Sequence, residues 1–226
     1  MAPESRGPGP VLVYSRTADY RHESIPHGVA ALRELGAGHG FRVTATEDPD
    51  ELTAELPHHA VVVFLSTSGD VLTDAARTAL RAHQGAGGGF VGIHAASCTE
   101  YGWPWYGRLI GARFTEHPDL QPGVVVVEDR EHPATAHLPP RWEFTDEWYA
   151  FDRNPRGRVR MLASADGSTF RGGTPGADRP LVWCHEDTGG RSFQTALGHT
   201  VECWDDPLFR AHVLGGIRWA GGADGP

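Results

Sequence analysis

Continuous apolar runs alternate with amphipathic stretches through the first half of the chain. VLVYS (11–15) is apolar almost throughout, the pattern of a strand buried on both faces. A polar loop, RTADYRHE, leads into IPHGVAALRELGAGHG (25–40), whose apolar positions recur at helical spacing before terminal glycines. FRVTAT (41–46) and HAVVVFLST (59–67) read as further strands, and Thr73 suits the N-cap of a helix reaching His83, with Asp74 in its first turn. GFVGI (89–93) is a fourth strand. This β/α alternation predicts an α/β fold, a parallel sheet covered by helices.

The second half is patterned differently. GVVVVED (123–129), VRMLAS (159–164), PLVWCHE (180–186) and RSFQTALG (191–198) read as strands without clear helices between them. They predict a β-rich C-terminal extension or antiparallel edge. A closing helix over Pro207–Ala220 starts from Asp206-Pro207, since proline suits the first helical position. No repeat or linker divides the chain, so one domain is expected over 10–220, with flexible Gly/Pro-rich ends at 1–9 and 221–226.

Composition narrows the function. The net charge of −9, with no basic patch, argues against a nucleic-acid or anionic-membrane partner. All 20 cationic residues are arginines. Schiff-base chemistry and a P-loop lysine are therefore excluded. The cysteines, Cys98, Cys184 and Cys203, are odd in number and far apart, which suggests a reducing, cytoplasmic setting without a disulfide framework or a cysteine zinc site. The N-terminal MAPESRGPGP lacks the apolar segment of a signal peptide, and no run approaches the roughly 20 residues of a membrane span.

Two apparent motifs dissolve on inspection. The glycines of GAGGG (85–89) precede a strand, whereas phosphate loops follow one, so a tight turn and no nucleotide cofactor are expected. In HESIPH, His22 and His27 are five apart and separated by Pro26, so they do not share a helix face as zinc-protease histidines do. VGIHAAS is more informative. It places His94 where a buried strand should turn into a helix, between the small residues Gly92 and Ala95-Ala96. Such a junction projects one side chain into the crevice at the carboxyl edge of a parallel sheet.

Other candidates share that edge. Arg21, His22 and Ser24 follow the first strand, His117 lies beyond the elbow helix, Asp146, Glu147 and Tyr149 form DEWY, and His199 ends the last strand. Singly, each suits a structural role as well as a functional one. Trp103 and Trp105 suit sugar stacking and core packing equally. His132, in EHPAT, suits a turn; His58 and His59 are expected to be exposed and without a role.

Taken in order, YRHESI, GGGFVGIHAAS, WPWYGRLIGARFTEHP, EHPAT, TDEWYAF, RSFQTALGHT and DPLFRAHVLGGIRWA resemble the trehalose-utilisation, or ThuA-like, family over about 11–220. The resemblance implies a class I glutamine-amidotransferase-like fold, a flavodoxin-like sheet with extra strands. The cysteine of the amidotransferase elbow is replaced here by His94, while His199 and Glu202 stand near the late His-x-Glu with altered spacing. Imidazole cannot replace a thiolate in thioester chemistry, so glutaminase activity is not expected. Cys98, four residues later, is expected inside the elbow helix.

The family's association with 3-keto-glycoside chemistry implies a sugar substrate whose ketone acidifies the neighbouring C–H bond. His94, His199, Glu147 and Asp146 are then the acid–base candidates. Arg21, Ser24, His117, Trp103, Trp105 and Tyr149 are the substrate-binding candidates. His22, His94 and His199 are the candidate ligands of a divalent ion, for which Zn, Mn, Fe and Ni all suit. Two alternatives stay open, another metal-dependent hydrolase of a carbonyl compound and a non-catalytic sugar-binding module, as does assembly into a homo-oligomer.

Overall fold

The computed structural model describes residues 7–223. In chain order the elements are β1 (Val11–Tyr14), α1 (Ile25–His39), β2 (Val43–Thr46), α2 (Pro49–Glu55), β3 (Val61–Leu65), β4 (Ser68–Gly69), α3 (Asp74–Gly85) and β5 (Gly89–Ile93). β6 (Cys98–Thr99), α4 (Pro104–Ile110), β7 (Phe114–Glu116), β8 (Gln121–Val127) and β9 (Arg141–Asp146) follow. The chain continues through β10 (Ala150–Phe151), β11 (Arg160–Ala165), β12 (Pro180–His185), β13 (Ser192–Thr195) and α5 (Pro207–Ala220).

Nine strands form one sheet in the order β2-β1-β3-β5-β13-β12-β11-β8-β9. The first five are parallel, and every pairing from β13 to β9 is antiparallel. The α/β expectation and the β-rich C-terminal extension both hold. The apolar runs explain the parallel half. Val11 and Val13 face one hydrophobic cluster with Leu32, Phe209 and Ile217, while Leu12 and Tyr14 face another with Leu80 and Tyr106. Both faces are covered, so neither tolerates polar alternation. The closing helix begins as expected, with the Asp206 carboxylate accepting the N–H groups of Leu208 and Phe209.

Several expectations change. α2 was not foreseen, although Asp48-Pro49 is a capping pair and the Asp48 side chain accepts from Asp50 and Glu51. β9 was not foreseen either, despite its alternating burial. His94 is followed by a short 3-10 turn, His94–Ser97, rather than by an elbow helix, and Cys98 lies in β6 instead of a helix. His59 is buried, with Nδ1 2.8 Å from the Glu55 carbonyl and Nε2 3.2 Å from Thr44 Oγ1. His132 organises a turn, its Nδ1 accepting the Ala134 N–H. The terminal segments 1–6 and 224–226, expected to be flexible, lie outside the described residues; Pro8 is buried and lies against Gly221.

Two features of this fold build the site. Antiparallel steps reverse direction, so the four from β13 to β9 restore it, and β9 ends at the same edge as β5 and β13. The antiparallel half curls toward α5, where Phe144 of β9 stacks on Phe209, and the curl brings Asp146 within 2.8 Å of the Gly198 N–H. Secondly, β4 and β6 pair in parallel, Thr17 bridges Ser68, and Ser68 Oγ donates to the Tyr20 carbonyl at 2.7 Å. The loops after β1, β3 and β5 are thus tied together by hydrogen bonds.

Candidate active site

His94 leaves the end of β5 with φ of +52°, a left-handed backbone for a side chain. Its imidazole is fully buried. Nδ1 lies 2.7 Å from the Ala196 carbonyl, which only an N–H can approach so closely. The hydrogen therefore sits on Nδ1, and in the neutral ring Nε2 offers a single lone pair. Four groups converge on it: Tyr149 Oη at 2.9 Å, His22 Nε2 at 3.1 Å, His199 Nδ1 at 3.2 Å and Glu147 Oε2 at 3.5 Å. One lone pair cannot serve all four, and an ionised Glu147 brings no hydrogen to it.

A cation would resolve this conflict. Ligand atoms of His22, His94, Glu147 and His199 lie within 4.8 Å of one another. A tetrahedral centre with bonds of about 2.0–2.2 Å has ligand–ligand edges of about 3.3–3.6 Å. The separations of 3.1, 3.2 and 3.5 Å from His94, and 3.2 Å between His199 Nδ1 and Glu147 Oε2, lie close to that range. The donor set therefore fits a divalent ion, and the Nδ1–H bond to Ala196 supplies the outer support such ligands usually have.

The electrostatics favour a neutral His22 and an ionised Glu147. Burial, reinforced by the neighbouring His94 and His199, lowers the His22 pKa to about 3, leaving that imidazole neutral. Burial pulls Glu147 upward, but the neighbouring His199 and His94 rings outweigh this and hold it well below the usual carboxylate range. His199 is raised by its bond to Glu147. Asp146, wholly buried, is raised by desolvation and accepts the N–H groups of Glu147 and Gly198 at 2.8 Å each. It thereby fixes the two turns that carry Glu147 and His199. Burial pushes the Cys98 thiol up to about 12, so it is not a thiolate near neutral pH.

His22, Glu147 and His199 of this cluster line a cavity of about 500 Å³ with Asp19, Tyr20, Ser68, Ala95, Cys98, Tyr101, Phe114, His117 and Tyr149, and His94 lies buried behind them. The size is that of a small-molecule site. His117 Nε2 lies 3.4 Å from Glu147 Oε1, and its ring stacks on Tyr149. A smaller cavity of about 220 Å³ shares Tyr20, His22 and His199 and includes Ser24. Ser24 Oγ donates to the Gly198 carbonyl at 3.4 Å.

Three candidates lie elsewhere. Arg21 is exposed and paired with Glu47 at 2.7 Å. Trp103 and Trp105 lie tilted against each other beneath Arg77 and Arg81, outside the cavity lining. Conversely, Asp19, Tyr20, Ser68, Tyr101 and Phe114 were not singled out. Only the first two carried a signal, their place in the loop after the first strand.

The family model for trehalose utilisation (ThuA) matches residues 10–220. Among solved structures, a ThuA-like protein from Bacteroides uniformis superposes with a TM-score of 0.79 at 25% identity, covering 95% of this chain and 91% of the other. A ThuA-like protein from Parabacteroides merdae gives 0.77 at 20% identity, over 96% and 90%. The glutaminase domain of Trypanosoma brucei CTPS gives 0.51 at 9% identity, over 94% and 93%, which shows a common fold of the glutamine-amidotransferase type. No curated protein matches the chain.

Proposed function

Because the chain belongs to the trehalose-utilisation family, which points to a carbohydrate-related function, we propose that it is an enzyme acting on a keto-sugar, such as a 3-keto glycoside, around a divalent ion. The observation that carries this reading is the convergence of His22, His94, His199 and Glu147 beneath the main cavity. A bound ion would polarise the ketone oxygen and stabilise charge developing there. The chain's own groups supply the rest. With four side chains committed as ligands, His117 is the cavity-facing imidazole left to move a proton. The Tyr149 hydroxyl, released from His94 Nε2, donates to substrate oxygen. Asp146 holds Glu147 and His199 in register. Removal of the C2 proton, made acidic by the C3 ketone, then permits loss of the group at C1, or isomerisation.

The test is elemental analysis of untagged protein, combined with mass spectrometry of a methyl glucoside and its 3-keto derivative. Expected are about one divalent ion per chain, conversion of the keto sugar alone, and a rate loss of about 100- to 1000-fold in His94→Ala. Equal conversion of both sugars, or an unaffected variant, overturns the reading.

A further inference from the structure

We propose that Asp19, with Tyr20 and Tyr101, forms a hydroxyl-binding subsite that selects sugars carrying no anionic group. The inference rests on the carbohydrate reading above and deepens it. Asp19 is exposed and lines the main cavity, and its carboxylate makes no hydrogen bond or ion pair among the described residues. Its position is nevertheless defined. The backbone N–H groups of Ala18 and Asp19 both reach the Ser68 carbonyl, at 2.8 and 3.4 Å. The carboxylate rests over Gly69, where an added Cβ would lie 2.8 Å from Oδ2. An unpartnered carboxylate on a fixed backbone can accept paired hydroxyls with charge-assisted bonds.

The aromatic neighbours complete the recognition. Tyr20 and Tyr101 are 65% and 49% exposed, two of the three large hydrophobic residues so exposed among the described residues, and both line the cavity. The Tyr101 hydroxyl is already bound to the Phe114 carbonyl at 2.6 Å, so this residue offers its ring rather than its polar tip. Such rings suit the C–H faces of a sugar.

Charge decides which sugars enter. Besides Glu147, which belongs to the ligand set, the larger cavity carries Asp19, and the smaller one Glu23 and Glu202. Among the described residues no arginine lines either, and the chain contains no lysine. Arg113, near Tyr101, is buried and spends its guanidinium on the carbonyls of Thr99, Glu100 and Trp103. A phosphate or carboxylate on the part of the sugar that reaches Asp19 therefore meets a carboxylate without the guanidinium fork that usually receives it.

Binding of methyl β-glucopyranoside, glucose 6-phosphate and gluconate, followed by saturation-transfer NMR titration, tests this. The probes carry no ketone, so the result is independent of turnover; the keto-sugar assay can fail while this binding pattern stands, and the reverse. The neutral glucoside should bind more tightly than either anion. Asp19→Ala should weaken it about tenfold, and Asp19→Asn less. Asp19→Arg should shift preference toward glucose 6-phosphate. Unchanged thermal melting confirms that the exposed substitutions leave the fold intact. Equal or tighter binding of either anion, unchanged glucoside binding in folded Asp19→Ala, or no glucoside binding at millimolar concentration overturns the proposal.

Discussion

At the residue scale, His94 sets local strain against chemistry. A left-handed backbone costs a residue with a Cβ roughly 1–2 kcal/mol, and glycine almost nothing. The His94→Gly protein should therefore be more stable than His94→Ala by about 1 kcal/mol in urea unfolding, while both lose activity. Asp146 gives a second case. Asn keeps its size but turns one acceptor into a donor facing a backbone N–H. Asp146→Asn should weaken divalent-ion binding about 10- to 100-fold in chelator competition, leaving the ligand residues intact. Cys98 gives the converse. With its thiol held protonated, Cys98→Ser should retain activity, and the protein should release no ammonia from glutamine. His94 and His199 were visible in the sequence because each ends an apolar run. Trp103 and Trp105 were ambiguous because stacking rings look alike in sequence whether they face a ligand or, as here, arginine side chains.

At the element scale, long apolar runs gave β1, β3 and β5 to within two residues at each end, because strands buried on both faces have no polar positions. β9 escaped notice because RWEFTD places only Trp142, Phe144 and Asp146 inward, and the last is charged. A charged inward position argues against a strand until its partners, Gly198 and Glu147, are known. The approach of β9 to β13 depends on the summed direction and curl of four pairings, which no local pattern encodes. Gly92 marks where β5 has least room: an added Cβ would lie 2.0 Å from Gln194 Oε1 on β13. Gly92→Ala should lower stability by about 1–3 kcal/mol in denaturant titration and reduce activity, since it displaces the strand two residues before His94.

The whole molecule carries a pH dependence of its own. His212 is completely buried between the Ala134 carbonyl and Thr195 Oγ1, and burial lowers its pKa from 6.5 to about 4. The unfolded chain takes up this proton near pH 6.5 and the native protein does not. Stability is therefore unaffected above that pH and falls as pH drops from 6.5 toward 4, by on the order of 3 kcal/mol. His83 and His185, also lowered by burial, act in the same direction. Unfolding midpoints at pH 7 and pH 4.5 check this, and His212→Gln should flatten the dependence.

The hydrogen-bonded lacing of Thr17, Ser68 and Cys98 has a consequence for how ligand is met. Loops at a sheet edge ordinarily exchange their amide hydrogens quickly, since water reaches them. Here the amides of Ala18, Ser66 and Glu100 are each bonded to a neighbouring strand or loop carbonyl, and should exchange as slowly as those of the adjacent strands. The receptor wall is then in place before any guest arrives. Association forfeits little chain entropy, and its rate should follow solvent viscosity rather than a slow closing step.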